Sequence, residues 1–297
     1  FLQLWEREPS IARRHTKEVW DVRAESWESG LREDAGRRQR SERRIAATVS
    51  FLRSHGLLGS DCDVIDIGCG PGRFAAEFAK TARYVAGTDL SPKMVEYAAR
   101  FSREQGLANT AFTACDFKTA DIDQYGWRNR FDLVFISITP AVSDRAGLEK
   151  AMSMSRGWCF NAGFLSSRDE LLSLVSREVF GREYGSRWDG CKSYALFNLL
   201  WLWGWTPYVS YYTEKSMDRY VPDRALAATL AENLGISPSD QGSIDAVYRY
   251  LEERAGREEA FSCAYESEYI WLLWTQKEGR ARASYEAPPS RQRGSLV

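Results

Sequence analysis

The feature that most constrains the fold is a glycine-rich turn directly after a short β-branched run. Residues 63–72 read DVIDIGCGPG, so an apolar, strand-like segment leads into Gly68, Gly70 and Gly72. A helical pattern begins at Phe74, which places the glycines between a predicted buried strand and a predicted helix. Glycine lets the backbone approach a ligand closely, and a helix N-terminus presents free N–H groups to it. The segment therefore predicts an α/β fold with a ligand at this turn.

The alternation of strands and helices continues beyond the turn and predicts a parallel sheet with right-handed crossovers. Ser91 and Pro92 form a typical helix start, and Ser166 or Ser167 is expected to cap the helix after the fifth strand. Further strands are predicted at 84–89, 110–115, 131–137, 157–164, 207–213 and 261–276, and helices at 10–54, 74–81, 92–105, 193–203, 223–234 and 241–255.

Acidic residues stand at the ends of three predicted strands. Asp66 lies near the end of the first strand, Asp89 ends the second about 20 residues beyond the glycines, and Asp116 follows the third. Each could instead be an ordinary cap or turn residue. Together they lie where open α/β sheets bind ligands, at the carboxyl ends of parallel strands, and a carboxylate at Asp89 suits both hydroxyls of a ribose.

The spacing of the glycines separates two kinds of nucleotide site. Dinucleotide-binding proteins typically carry GxGxxG, whereas this loop reads GxGxG after Asp66. In this respect the loop resembles motif I of the class I S-adenosylmethionine (SAM) dependent methyltransferases. The resemblance to this family covers residues 60–165 and extends more loosely to other parts of the chain. The resemblance implies a seven-stranded, mostly parallel sheet of order 3-2-1-4-5-7-6, with helices on both faces.

The resemblance also implies which residues hold the cofactor. Asp89 would bind the ribose of SAM, Asp116 the adenine amino group, and Phe117 would flank the adenine ring. Residues 137–140, at the end of the fourth strand, would lie beside the methyl group. The expected cofactor-binding residues are Asp66, Gly68, Cys69, Gly70, Gly72, Asp89, Leu90, Ser91, Met94, Asp116, Phe117 and Ser137.

The methyl acceptor is expected to be a small molecule. Relatives that methylate nucleic-acid bases or glutamine often carry Asn/Asp-Pro-Pro-aromatic where this chain reads SITP at 137–140. Residues 20–27 resemble the N-terminal helix that covers SAM in many small-molecule methyltransferases. An aromatic insertion could form a cap over the acceptor, although its rings could instead pack the insertion onto the sheet. The candidate acceptor-binding residues are Trp20, Trp27, Thr139, Tyr184, Tyr194 and Trp201.

Composition and charge argue against several other classes of protein. The net charge of −1 provides no general attraction to nucleic acid, although the basic run at 37–44 could contact RNA instead of being a solvated helix face. Six scattered cysteines and two histidines form no zinc motif. No signal peptide or membrane-spanning run is present, which predicts a cytoplasmic protein without membrane association. The alternatives are an RNA methyltransferase and a non-catalytic SAM or nucleotide binder.

The chain is expected to have three parts. Residues 1–55 would form a helical cap, residues 56–280 the SAM-binding domain with an insertion at about 181–206, and residues 281–297 a flexible tail. The sequence leaves the use of a general base open, because methyl transfer needs a base only when the nucleophile arrives protonated. No metal ligand is predicted.

Overall fold

A computed structural model describes residues 1–6, 16–21, 24–25, 35–185 and 190–276. The predicted tail at 281–297 lies outside this part of the chain. Among the described helices, none is long and apolar enough to cross a membrane.

Seven strands form one sheet in the order β3-β2-β1-β4-β5-β7-β6, which confirms the predicted order. The first five strands are parallel, and β7 lies antiparallel between β5 and β6. β1 and β4 are apolar and almost wholly buried, as expected for central parallel strands. The strands are β1 (Asp63–Ile67), β2 (Tyr84–Asp89), β3 (Thr110–Ala114), β4 (Phe131–Ser137), β5 (Ser155–Asp169), β6 (Tyr208–Tyr220) and β7 (Phe261–Thr275).

Helices cover both faces of the sheet. On one face, Leu52 and Phe78 pack with the sheet residues Phe135 and Phe160. On the other face, Leu148 and Leu199 pack with sheet residues that include Ile136 and Leu272. The helices are α1 (Leu2–Glu6), α2 (Ala35–Ser54), α3 (Arg73–Ala79), α4 (Pro92–Glu104), α5 (Arg145–Met154), α6 (Glu170–Phe180), α7 (Cys191–Leu202), α8 (Arg224–Asn233) and α9 (Gln241–Ala255).

Helix α5 was absent from the sequence prediction, although its start signal is clear in the structure. The Asp144 side chain accepts a hydrogen bond from the Gly147 N–H at 2.7 Å. This is an ordinary N-cap, which satisfies one of the free N–H groups of the first helical turn.

The long strands β5 and β6 extend well past the ends predicted for them, at residues 164 and 213. The extensions, residues 165–169 and 214–220, pair with the first half of β7 and form a three-stranded arm beyond the parallel sheet. Helices α6, α8 and α9 pack on the arm around a separate apolar core that includes Cys263. Most residues of these extensions are polar, and pairing with β7 is what keeps them extended.

The helix after β5 consequently begins later than predicted, and its predicted caps were wrong. Ser166 and Ser167 lie inside β5, paired with Glu268 and Ser267. The cap of α6 is Asp169, whose side chain accepts from the Leu172 N–H at 2.9 Å.

Replacing this cap should weaken the arm measurably. We expect Asp169→Ala to lower the free energy of unfolding by about 1 kcal/mol, because a free N–H of α6 loses its partner. Asp169→Asn keeps a capping oxygen and should remain close to wild type. Urea unfolding curves of the three proteins measure the difference, and equal losses in both variants would show that charge rather than capping matters at this position.

Candidate active site

The glycine loop between β1 and α3 has a backbone conformation that favours glycine at three positions. Gly68, Gly70 and Gly72 have φ values of 73°, 52° and 74°, in the left-handed region. The loop turns back onto β2, since the N–H groups of Gly68 and Cys69 both donate to the Thr88 carbonyl at 2.7 and 3.0 Å. The predicted ligand-binding turn therefore stands at the carboxyl ends of β1 and β2.

Neighbouring elements approach this loop so closely that side chains are excluded. A Cβ atom on Gly72 would lie 2.6 Å from the Cβ of Ala98 in α4. One on Gly68 would lie 2.1 Å from Thr139 Oγ1. Thr139 follows β4, next to Ile138, which has a positive φ of 51° that is uncommon for a β-branched residue. The end of β4 and the loop are thus in direct contact.

Asp89 joins the loop to the turn after β2. One carboxylate oxygen accepts from the Gly70 N–H at 2.9 Å, and the other accepts from the Ser91 N–H at 2.9 Å. Ser91 in turn caps α4 by accepting from the N–H of the buried Met94 at 3.2 Å. Burial raises the pKa of Asp89, and backbone N–H donors, including those of Ser91, Gly70 and Leu90, oppose this rise.

Asp66 lies under the loop in β1 and is buried. Burial first, and then the negative charge of Asp89, raise the pKa of Asp66 to about 8. The Cys69 thiol is also buried, and burial with the charges of both carboxylates raises its pKa well above the ordinary value. Both groups are therefore largely protonated at neutral pH.

Asp116 and Phe117, after β3, have contrasting surroundings. Asp116 is exposed and accepts from the Lys118 N–H at 3.0 Å. Phe117 is only 3 % exposed and packs in the core. Lys150 of α5 holds this turn in shape by donating to the carbonyls of Phe117, Lys118 and Ala120 at 3.0, 2.8 and 2.9 Å. Sequence reasoning missed Lys150 because its contacts are to backbone atoms of a distant segment.

Part of the predicted N-terminal cover lies against the turn after β2 and the start of α4. The Asp21 carboxylate accepts from Ser91 Oγ at 2.6 Å, and Glu25 pairs with Lys93 at 2.6 Å. Trp20 is half-buried in this segment, whereas Trp27 lies outside the described residues. No pattern in the sequence singled out Asp21, since its partner is 70 residues away.

The candidate acceptor-binding residues are not brought together. Thr139 contacts the glycine loop, whereas Tyr184 packs against the core of the arm. Tyr194 and Trp201 of α7 are 57 % and 51 % exposed. Helix α7 packs on the sheet through Leu196, Leu199 and Leu200, so its other face, which carries these rings, turns outward.

A family model described as a methyltransferase domain matches residues 58–155. This span contains the glycine loop, the three acidic strand ends and the first four strands, and the sheet has the order expected of that family. Residues 58–155 therefore resemble a methyltransferase domain, and the sheet has the strand order of the class I SAM-dependent methyltransferases.

Two curated methyltransferases resemble parts of the chain. EEF1A lysine methyltransferase 2 of Homo sapiens is 26 % identical over 146 residues, which cover 46 % of this chain and 61 % of the relative. The 23S rRNA (uracil(1939)-C(5))-methyltransferase of Aeromonas hydrophila is 33 % identical over 97 residues, which cover 32 % and 21 %. The chain thus spans less than two thirds of either relative.

Among solved structures, magnesium protoporphyrin IX methyltransferase from Synechocystis PCC 6803, with bound S-adenosylhomocysteine (SAH), has a TM-score of 0.50 and 14 % identity. The match covers 86 % of this chain and 96 % of that chain. At this identity the likeness extends to the fold of the methyltransferase domain alone.

The crowding at Gly72 can be separated from its backbone conformation. Gly56 has the same φ of 74°, but no atom lies within 4 Å of the place that a Cβ would occupy there, so Gly56→Ala measures the conformational penalty alone. We expect that penalty to be about 1–2 kcal/mol. Gly72→Ala should lose about 1–3 kcal/mol more, because its methyl group meets α4. Urea unfolding measures both variants, and equal losses would contradict the packing argument.

The raised pKa of Asp66 predicts a pH dependence of stability. Its pKa is about 8 in the folded protein and about 3.9 in an unfolded chain. Between these pH values Asp66 is protonated in the folded state and ionised in the unfolded chain. Its contribution to the free energy of unfolding is therefore greatest at low pH and falls as the pH rises towards 8. We expect Asp66→Asn to lose this slope, at most about 1.4 kcal/mol per pH unit. Thermal unfolding of the domain at several pH values tests this, and parallel curves for both proteins would contradict it.

Proposed function

We propose that this protein transfers the methyl group of SAM to a small-molecule acceptor and releases SAH. The observation that carries the proposal is the position of the Asp89 carboxylate, which bonds the Gly70 and Ser91 N–H groups at the carboxyl end of β2. It stands beside the glycine loop, in which Gly68, Gly70 and Gly72 adopt the left-handed backbone conformation.

The residues around the loop suit the parts of SAM. The ribose hydroxyls can donate to Asp89, since a carboxylate oxygen has lone pairs beyond the one that a backbone N–H occupies. The exposed carboxylate of Asp116 can accept from the adenine amino group. The buried Asp66 carboxyl, which is largely protonated at neutral pH, lies under the loop as an uncharged polar group. SAM supplies a methyl group already activated on a sulfonium, and Ser137 and Thr139, at the end of β4, would lie beside it.

For this reaction the main task of the protein is to position the two reactants. The acceptor nucleophile must lie in line with the methyl group at near-attack distance, and holding two reactants in that geometry is itself a large part of catalysis. The contact of Thr139 with Gly68 fixes the end of β4 against the loop. The Asp21 contact with Ser91 holds an N-terminal segment over the adjacent turn, which would limit access of water.

The choice of a small acceptor rests on the contacts that the basic run at residues 37–44 makes in the structure. The relatives are named for a protein lysine and for an rRNA uracil. In this chain Arg40 pairs with Asp218, and Arg44 donates to Tyr269 OH at 3.1 Å, so both guanidinium groups face the arm. Fewer basic side chains of the run then remain to contact RNA phosphates.

Calorimetric titration of SAM and SAH tests the cofactor assignment. We expect micromolar binding by the wild type and a loss of about 10–100-fold in Asp89→Ala, because hydrogen bonds to a charged group contribute about 1.5–3 kcal/mol. Asp123→Ala is the matched control, since Asp123 is an exposed carboxylate paired with Arg128 away from the loop.

Two further measurements make the result decisive. A circular dichroism melt of Asp89→Ala verifies that the protein remains folded, and Asp89→Asn, which keeps an oxygen for one backbone N–H, should bind SAH with intermediate affinity. If the wild type binds neither SAM nor SAH, the proposed function is wrong.

A further inference from the structure

Strand β6 is an edge of the sheet and has a neighbouring strand on one side. It stands last in the sheet order, pairs with β7, and is 13 residues long. Among the described elements, only β7 and α2 make more than marginal contact with it. In an edge strand the N–H and C=O groups of every second residue point away from the sheet, so they are available to pair with a further strand.

One face of β6 is exposed along its whole length and is partly apolar. Val209, Tyr211 and Met217 are 39 %, 67 % and 67 % exposed. Helix α2 covers the opposite face, on which Arg40 pairs with the buried Asp218. We call the exposed residues the outer row, which consists of Val209, Tyr211, Thr213, Lys215, Met217 and Arg219.

This edge lacks most of the features that keep sheet edges apart. Natural edge strands are protected by being short, or by proline, bulges or charged side chains. Pro207 and Pro222 flank β6 without interrupting it, and its register with β7 is continuous from residue 208 to residue 220. The ammonium group of Lys215 is already paired with Glu266 of β7 at 2.8 Å. A long edge with exposed apolar side chains is therefore suited to pairing with another strand.

The side-chain charges of β6 select one register for pairing with a second copy of itself. A two-fold axis perpendicular to the sheet keeps the two outer rows on the same face, so the axis must pass beside a single residue. Axes at positions 214 to 217 each place like charges directly opposite, such as Glu214 against itself or Lys215 against Arg219, which is destabilising. Of the axes that remain, the one at Thr213 pairs the longest stretch, residues 208–218.

In this register the outer rows of the two copies are complementary. Thr213 faces Thr213 of the second copy, and threonine pairs across strands are favourable. Tyr211 faces Lys215, whose ammonium group can lie over the ring. Val209 faces Met217, so two apolar side chains cover each other on either side of the axis. No like charges are opposed on either face of the paired strands.

We propose that two copies of this protein associate through β6, as an antiparallel pair about a two-fold axis at Thr213. The contact joins the two seven-stranded sheets into one continuous sheet. It is independent of the proposed function, since it involves neither the glycine loop nor the end of β4. One pair of strands forms a small interface compared with the roughly 1,600 Å² of a standard stable one, so we expect a dimer that dissociates in the micromolar range.

A cysteine at the axis tests the register. Opposed Cα atoms in an antiparallel pair are about 4.5–5.5 Å apart, which is within the range of a disulfide. We expect Thr213→Cys, oxidised with diamide, to form a covalent dimer at least 10-fold faster than Met217→Cys. The two copies of residue 217 would lie eight residues apart along the strands, roughly 26 Å. Non-reducing gels measure both rates, with the wild type as the background for the native cysteines.

Charge variants at Tyr211 test the side-chain contacts. Tyr211→Lys places a lysine opposite Lys215 on both sides of the axis and should weaken the dimer at least 10-fold. Tyr211→Glu places a carboxylate there and should dimerise at least as tightly as the wild type. Leu202→Lys is the control, because Leu202 is an exposed apolar residue of α7, outside the outer row, and is 48 % exposed. Sedimentation velocity over a concentration series measures each dissociation constant.

Three results would overturn the proposal. One is a wild type that stays monomeric up to millimolar concentration, and another is equal cross-linking of the two cysteine variants. The third is a dimer that persists in Tyr211→Lys but is lost in Leu202→Lys, which would assign the interface to α7. Circular dichroism melts verify that each variant is folded, and if Tyr211→Lys does not fold, Tyr211→Glu and Thr213→Cys carry the test.

Discussion

The bridge that the Asp89 carboxylate makes between the Gly70 and Ser91 N–H groups is the interaction on which the site depends. It ties the glycine loop to the start of α4, and Ser91 passes the connection to Asp21 in the N-terminal segment. A carboxylate can do this because it has about four lone-pair positions, so two backbone bonds leave others for a ligand. One side chain thereby links the loop, a helix start and the segment that covers the site.

The parallel sheet and the arm form two parts of the molecule with different structural roles. The parallel strands end in a loop so crowded that Thr139 touches Gly68, which fixes the cofactor side of the site. The arm extends β5, β6 and β7 beyond that edge and has its own apolar core. Its inner face carries Glu214 and a set of rings, held under α2 by Arg40 and Arg44. The edge that we propose to pair with a second copy runs along β6 through both parts.

Sequence reasoning succeeded where the relevant contacts are local or repeat a strong pattern. The loop and the cap at Ser91 are examples, since each depends on neighbours close in the chain. The strand order was predicted from the resemblance that the loop carries, and the structure confirms it. It failed at Ser166 and Ser167, which looked like helix caps but pair with β7 about 100 residues later. Tyr184, Tyr194 and Trp201 looked like one aromatic cluster, yet the packing of α7 and of the arm separates them.

The amino-acid sequence by itself determined the α/β class, the place of the ligand-binding turn and the family resemblance. Hydrophobic alternation and the spacing of Gly68, Gly70 and Gly72 are local properties, so they can be recognised without knowing the tertiary contacts of these residues. Only the tertiary structure decided the length of the arm, the link from Asp21 to Ser91 and the burial of Glu214 beneath α2. These depend on contacts between segments far apart in the chain, and a pattern read along the chain carries no record of which distant strand or helix will cover a given side chain.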